Sequence, residues 1–269
     1  MGKFNDQLNP LFEKWIQISE KKHEMRDDTE GQNIIFTYDG LMEKPDSSID
    51  VEECWQKADM RIMFLVKDQP SIYCDDSRLW LKDQLTDRPD DEKNKKLNRE
   101  IKPKFIHNIA NVFYGLSHAD KEHEITFQSL NKEDVKKYFL TSPFAFVECK
   151  KQGGKTSISN STLHHYLYDE DYKELLYQEI KILRPNIIVC TNNMIYQFVQ
   201  EMYGMENLIK LNEPGHNSIR IFAEKEILIL NSFHPSARIS YMKFYDGVMD
   251  HYRAFLRSEF AEKYRYINK

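Results

Sequence analysis

Short runs of consecutive apolar residues constrain the fold of this chain more than any other feature. Residues 61–66 read Arg-Ile-Met-Phe-Leu-Val, and residues 187–190 read Ile-Ile-Val-Cys. Side chains alternate between the two faces of a strand, so a strand that is apolar throughout is covered on both faces, as in a parallel sheet between helices. Further strands of this kind are predicted at 144–147, 219–222 and 227–230, and an extended run at 33–40 ends in a turn.

Segments with the helical spacing of apolar residues separate these runs. In one of them Phe105, Ile109 and Val112 lie on a single stripe. Helices are predicted at about 10–24 with Pro10 in the first turn, 51–57, 77–85, 104–115, 132–140, 170–183, a segment ending at Gly204, and 241–264. The alternation predicts an α/β fold with three α/β/α layers and a central, mainly parallel sheet. We expect one domain over 1–269, in which 1–60 is a helical and extended addition.

The charge and the hydropathy of the chain limit its partners and its compartment. Lys and Arg number 38 against 43 Asp and Glu, which gives a formal net charge of −5. This balance argues against a protein that binds nucleic acid through its overall charge, although it permits a local basic surface. No stretch approaches the roughly 20 apolar residues of a membrane span, and the first residues lack the apolar core of a signal peptide. We therefore expect a cytoplasmic monomer with no membrane partner.

The cysteines are spaced singly along the chain, at Cys54, Cys74, Cys149 and Cys190. No two of them have the close spacing that lets one turn bind zinc, so a structural role is the simpler interpretation. We expect no metal and no cofactor.

Polar segments follow three of the predicted strands where the strands end. Lys-Asp-Gln-Pro at 67–70 follows the first, Glu148 follows the second, and His-Pro-Ser at 234–236 follows the last. Ligands of parallel α/β sheets bind in the crevice beyond the carboxyl ends of the strands. The three segments are therefore predicted to line one site.

The order of these motifs resembles that of the uracil-DNA glycosylase superfamily, over about residues 61–245. In that superfamily an apolar strand leads into Gly-Gln-Asp-Pro or Gly-Glu-Ala-Pro, and here 67–70 stands in that place with Pro70 at the family proline. His-Pro-Ser after the last strand is the second family motif, which 234–236 reproduces without a gap. The resemblance implies the same fold and the removal of uracil or a related modified base from DNA after the nucleotide is flipped out.

The resemblance also implies roles for individual residues. Asp68 or Gln69 would face the oxocarbenium-like sugar or orient water, and His234 would donate to the departing base. Tyr73 is the nearest aromatic residue after the first motif on which the base would stack. The predicted catalytic residues are Asp68, Gln69 and His234, and the predicted substrate-binding residues are Lys67, Pro70, Tyr73, Glu148, Pro235 and Ser236.

Three positions depart from the family pattern. Lys67 replaces the family glycine, Gln69 stands where one branch has its water-activating aspartate, and Glu148 corresponds most nearly to the asparagine that reads uracil. An ionised carboxylate accepts hydrogen bonds but does not donate them as an amide does. The cysteine spacing also lacks the close pair of the iron-sulfur branch, so no cluster is expected. These departures leave an alternative, a catalytically inert nucleotide- or nucleic-acid-binding protein of the same fold.

DNA contacts are expected beside the motifs. Lysines in the polar loop 148–161 would bind backbone phosphates, and in the superfamily the residues just after His-Pro-Ser enter the stack where the base leaves. The predicted DNA contacts are Lys150, Lys151, Lys155, Arg238, Ile239 and Tyr241. Gly-Gly-Lys-Thr at 153–156 also resembles the phosphate loop of NTPases, but Cys149 stands at the required earlier glycine and no apolar helix begins at Thr156.

Overall fold

The structure, a computed structural model, describes residues 4–25, 36–67, 75–81, 104–152, 158–211, 219–222 and 226–264. Its strands are β1 Thr37–Tyr38, β2 Gly40–Leu41, β3 Ile62–Val66, β4 Asp75–Asp76, β5 Ala145–Glu148, β6 Ile187–Cys190, β7 Ile209–Lys210, β8 Ile219–Phe222 and β9 Ile227–Asn231. Seven of them form one sheet in the order β2-β5-β3-β6-β9-β8-β7, and β1 pairs with β4.

The four central strands of the sheet, β5, β3, β6 and β9, are parallel to one another. β2 pairs antiparallel with β5 at one edge, and β8 and β7 continue antiparallel from β9 at the other. All residues of β3 are buried, with Phe64 and Val66 facing one hydrophobic cluster and Met63 and Leu65 facing the other. The continuous apolar runs therefore form the centre of a mainly parallel sheet, as predicted.

Helices cover both faces of the sheet. The helices are α1 Phe4–Lys21, α2 Val51–Lys57, α3 Lys104–His118, α4 Lys132–Thr141, α5 Asn160–Tyr168, α6 Glu170–Leu183, α7 Asn193–Tyr203 and α8 Tyr241–Leu256. α3, α4 and α8 bury their apolar faces in one cluster, and α1, α5, α6 and α7 bury theirs in the other. The predicted three-layer α/β/α fold class is confirmed.

Some element boundaries differ from the sequence-based expectations. α1 begins at Phe4, so Pro10 lies inside the helix rather than in its first turn. α5 lies partly in the segment predicted to be a loop, because Ser159 caps its start by accepting from the backbone N–H of Thr162. α8 ends at Leu256, and within the described residues a short 3-10 turn at Ala261–Lys263 follows it, so the predicted helix to residue 264 was too long.

The N-terminal segment joins the same layers. β2 extends the sheet beside β5, and α1 packs against α6. Gly40 has a φ of 134°, and a Cβ there would lie 2.7 Å from the Leu8 side chain, so the close approach of β2 to α1 requires glycine. Within the described part of the chain, every helix is too short or too polar to cross a bilayer.

Candidate functional site

The segments that follow the central strands lie side by side at one edge of the sheet. Backbone pairing continues past the strand ends, since Lys150 N donates to Lys67 O at 3.0 Å and Ser232 N donates to Cys190 O at 2.8 Å. Thr191, after β6, donates through its backbone N to Leu65 O at 3.0 Å. The polar segments after Val66, Val147 and Leu230 are therefore brought to the same edge, as the parallel topology predicts.

His234 stands at this edge with a defined protonation state. The backbone N–H of Ser236 donates to Nδ1 of His234 at 3.2 Å. Nδ1 therefore carries a lone pair, and the proton of the neutral ring is on Nε2. Burial and the positive charge of Lys67 lower the pKa of His234 from 6.5 to about 4. At neutral pH the ring is an uncharged Nε2–H donor, close enough to Lys67 to be affected by its charge.

Two side chains of α3 bind the backbone of the loop that carries His234. Lys104 Nζ donates to the carbonyl oxygens of Ala237 at 2.6 Å and Ile239 at 2.5 Å. Asn108, one turn further along α3, donates through Nδ2 to Pro235 O at 2.6 Å. Three alternate carbonyls of the loop are thus bound by one face of a helix, which fixes the path of the backbone on either side of Ser236. Sequence reasoning missed both residues.

Phe105 lies between the sheet and the imidazole of His234. Its ring centroid is 5.7 Å from that of His234, in a tilted arrangement, and 5.8 Å from that of Phe146, edge to face. These separations are those of interacting aromatic pairs. Phe105 thus links β5 to the His-Pro-Ser loop and supports one side of the imidazole. In the sequence, Phe105 begins the apolar stripe of α3, and that pattern predicts packing against the core rather than a functional site.

Glu148 occupies the end of β5 and is fully buried. By strand alternation its side chain is on the face of the sheet that carries Phe146, which is also the face of α3. Its Oε1 accepts from Ser77 Oγ at 3.3 Å, and its backbone N donates to Asp39 Oδ2 at 2.6 Å. A buried carboxylate therefore stands where the resemblance places the base-reading asparagine.

Lys150 and Lys151 do not form the predicted phosphate-binding surface. Lys151 is fully buried, and its Nζ contacts Asp39 Oδ2 at 2.6 Å and Glu179 Oε2 at 2.9 Å. Although burial opposes the charged form, the two carboxylates raise the pKa of Lys151 to about 12. Lys150 is also buried, and its Nζ donates to Gln152 O. The prediction that these two lysines bind DNA is wrong, because both ammonium groups are used inside the fold.

The residues after His234 divide into buried and exposed positions. Pro235 is buried and Ile239 is half-buried against the core, whereas Ser236, Arg238 and Tyr241 are exposed. Arg238 makes no hydrogen bond or ion pair within the described part of the chain. The guanidinium of Arg238 and the ammonium group of the half-buried Lys67 therefore supply positive charge at this edge of the sheet.

Several predicted site residues lie outside the described residues. These are Asp68, Gln69, Pro70, Tyr73 and Lys155, and the segment 153–156 that resembles a phosphate loop is also outside them. Among the residues that the structure does describe, no group of three His, Cys, Asp or Glu side chains is placed to bind a metal ion.

The protonation of His234 gives a direct test by NMR. We expect ring 15N shifts of the Nε2–H tautomer at neutral pH and a midpoint near pH 4. Lys67→Ala should move that midpoint upward, because it removes a positive charge that opposes protonation. A titration midpoint of His234 near the usual value of 6.5 that does not change in Lys67→Ala would contradict the burial of His234 beside Lys67.

The same shift has a consequence for stability. Between pH 6.5 and about 4 the unfolded chain holds a proton on His234 that the folded chain does not. Lowering the pH through this window should therefore destabilise the fold, and His234→Gln should reduce that part of the pH dependence.

No protein-family model and no curated protein matches the chain. The function is therefore inferred from the residues at the carboxyl edge of the sheet and from their motifs.

Proposed function

We propose that this chain is a DNA glycosylase-like hydrolase, which cleaves the N-glycosidic bond of a flipped modified base. The observation that carries the proposal is the neutral His234, whose Nε2 is a fixed donor at the edge of the sheet where Lys67 follows β3 and Glu148 ends β5. His234 combines a pKa near 4 with a backbone N–H that donates to its Nδ1, which is not expected of a solvent-exposed histidine.

The chemistry requires such a donor. When the bond between the sugar and the base breaks, the base takes the electron pair and negative charge develops on its oxygen. A preorganised Nε2–H stabilises that charge without first having to capture a proton from solution. The sugar becomes oxocarbenium-like, and the Asp68 carboxylate would stabilise its positive charge. A water molecule oriented by Asp68 or Gln69 would then add to the anomeric carbon and release its proton to that carboxylate or to the departing base.

The base that this site would accept is restricted by Glu148. If its carboxylate is ionised, it accepts hydrogen bonds and donates none, so the base should present N–H groups toward β5. Uracil offers a single imide N–H there, whereas bases with an exocyclic amino group beside a ring N–H offer two. The proposed substrate class is therefore a modified base in DNA, with uracil as one member to be compared with the others.

The proposed DNA surface is the exposed side of the His-Pro-Ser loop. Arg238 and Lys67 would contact phosphates, and Ser236 of the His-Pro-Ser motif is also exposed. Tyr241, with 40% of its surface exposed, and Ile239 are the proposed wedge residues. This surface is small, in keeping with a chain whose formal net charge is −5.

An activity panel tests the proposal. The chain would be incubated with single- and double-stranded oligonucleotides that carry uracil, hypoxanthine, xanthine or an alkylated base, and abasic sites would then be cleaved with alkali. Cleavage that depends on one base supports the hydrolase. Binding without cleavage of any base supports the alternative, a catalytically inert binding protein. The burial of Glu148 and its contact with Ser77 favour that alternative.

The DNA surface makes a separate prediction. Replacing Arg238 or Lys67 with alanine should weaken binding to all sequences alike and lower the slope of log K against log salt by about one for each phosphate that is no longer neutralised. The measurement is fluorescence anisotropy at several salt concentrations. Lys57→Ala is the matched control, because Lys57 is exposed at the end of α2, toward the opposite edge of the sheet. Equal slopes in all variants would remove the loop from the DNA interface.

A further inference from the structure

A cavity lies at the edge of the sheet opposite His234. It has a volume of about 400 Å³ and is lined by Met60, which precedes β3, and by Pro143, which precedes β5. This volume lies within the range of small-molecule sites, roughly 300 to 1,000 Å³. We propose that the cavity binds a small organic cation, of the amine or guanidinium class, independently of the carboxyl-edge site.

The electrostatics of the cavity favour a cation. α3 ends at His118 and α4 at Thr141, and residues from both helix ends line the cavity. The free carbonyl groups at the C-terminal end of a helix carry partial negative charge. Asp59 and Asp120 add carboxylates to the lining, and no lysine or arginine is among the lining residues that the structure describes.

The end of α4 already holds the side-chain amine of Lys44, whose pKa burial lowers from 10.5 to about 7. Lys44 Nζ donates to Phe139 O, in the last turn of the helix, at 3.2 Å, and lies 4.3 Å from the centre of the Phe144 ring. A helix C-terminal carbonyl and an aromatic face together therefore accommodate an amine beside this cavity.

Aromatic and hydroxyl groups in the cavity suit an organic cation. Tyr138 and His118 both line the cavity, with ring centroids 4.5 Å apart, and a tyrosine ring attracts cations. Tyr252 also lines it and is only 1% exposed, yet its hydroxyl makes no hydrogen bond to the part of the chain that the structure describes. Burial and the charge of Asp120 raise the pKa of Tyr252, so it remains a neutral phenol whose oxygen can accept from a ligand.

An organic cation fits this lining better than a metal ion. Metal ions require several close donors, and the described residues contain no group of three His, Cys, Asp or Glu that could supply them. The cavity is instead lined by the carboxylates of Asp59 and Asp120, by aromatic rings, and by the Tyr252 hydroxyl, which bonds to nothing in the part of the chain that the structure describes. An alkylammonium group, free or at the end of a lysine side chain, would use all three.

Calorimetric titration of the full chain at low salt tests the proposal. The probes are 1,4-diaminobutane, tetramethylammonium and N-acetyl-lysine methylamide, with benzoate as an anion of similar size. We expect the cations to bind and benzoate not to bind. Asp59→Asn combined with Asp120→Asn should weaken cation binding about tenfold or more, since hydrogen bonds to charged groups contribute most. A preference for the lysine derivative over the diamine would identify the source as a protein side chain.

Two further variants make the result decisive. Asparagine at position 120 keeps the oxygen that accepts from the backbone of Glu122 and His123, so the fold should survive. Tyr252→Phe removes only the phenol hydroxyl and should weaken binding of the amines more than that of tetramethylammonium, which has no N–H. Asp134→Asn, exposed in the first turn of α4, is the control and should change nothing. Absence of cation binding to the wild type, or equal binding in the double variant, would overturn the proposal.

Discussion

Replacing Lys151 with methionine is expected to destabilise the protein by about 3–5 kcal/mol, the usual consequence of removing one partner of a buried ion pair. The Asp39 carboxylate is fully buried and receives the Lys151 ammonium at 2.7 and 2.6 Å on its two oxygens. Without that ammonium the carboxylate keeps the Glu148 backbone N–H and still interacts electrostatically with Arg78, but it loses the cation bonded to both of its oxygens. Burial and the neighbouring Asp39 raise the pKa of Glu179, so Glu179 adds no second stranded charge once it is protonated.

The measurement is urea unfolding at neutral pH, followed by circular dichroism. Because whole domains are stable by only about 5–15 kcal/mol, the single variant can fail to fold. The double variant Lys151→Met with Asp39→Asn removes both charges and should recover most of the loss. Lys137→Met, at an exposed position on α4, should stay within about 0.5 kcal/mol of wild type. A loss below about 1 kcal/mol in Lys151→Met would contradict the buried ion pair.

The sheet could be predicted from the sequence because its central strands are apolar on both faces. Residues 62–66 and 187–190 are apolar at every or nearly every position, so neither face of these strands could be exposed to solvent, and both strands are buried as a parallel pair. α5 was missed because it begins in a polar segment and contains two adjacent histidines, which weaken the apolar pattern. The start of α5 depends on the Ser159 cap, and a polar loop contains several residues of the types that can cap a helix.

The site was less predictable, because it depends on contacts between distant parts of the chain. Lys151 was expected at the surface, as charged residues in a glycine-rich loop usually are, yet its partner Asp39 is 112 residues away in sequence. Lys104 and Asn108 likewise gain their role only when α3 packs beneath the His-Pro-Ser loop. Motifs located the edge of the sheet where His234 stands, and tertiary packing determined which neighbouring lysines remain available there.

The hydrolase proposal makes its sharpest prediction at His234 and Asp68. His234→Ala removes the Nε2–H donor, and Asp68→Asn removes the proposed charge facing the sugar, so each should slow cleavage about a hundredfold or more. Single-turnover cleavage of whichever base the panel identifies is the measurement, because it isolates the chemical step from product release. His234→Gln is the matched variant for His234, since glutamine retains an N–H donor and should lose less activity than alanine.

The variants also separate the possible roles within the first motif. If Gln69 rather than Asp68 orients the water, Gln69→Ala will show the larger loss while Asp68→Asn stays active, which reassigns the role but keeps the reaction. Thermal unfolding controls for folding, and both His234 variants should retain the native transition because the ring is only partly buried. If the wild type cleaves no base while an oligonucleotide still binds and Arg238→Ala weakens that binding, the hydrolase proposal is wrong. The neutral His234 would then serve recognition alone, as a donor to a bound nucleotide.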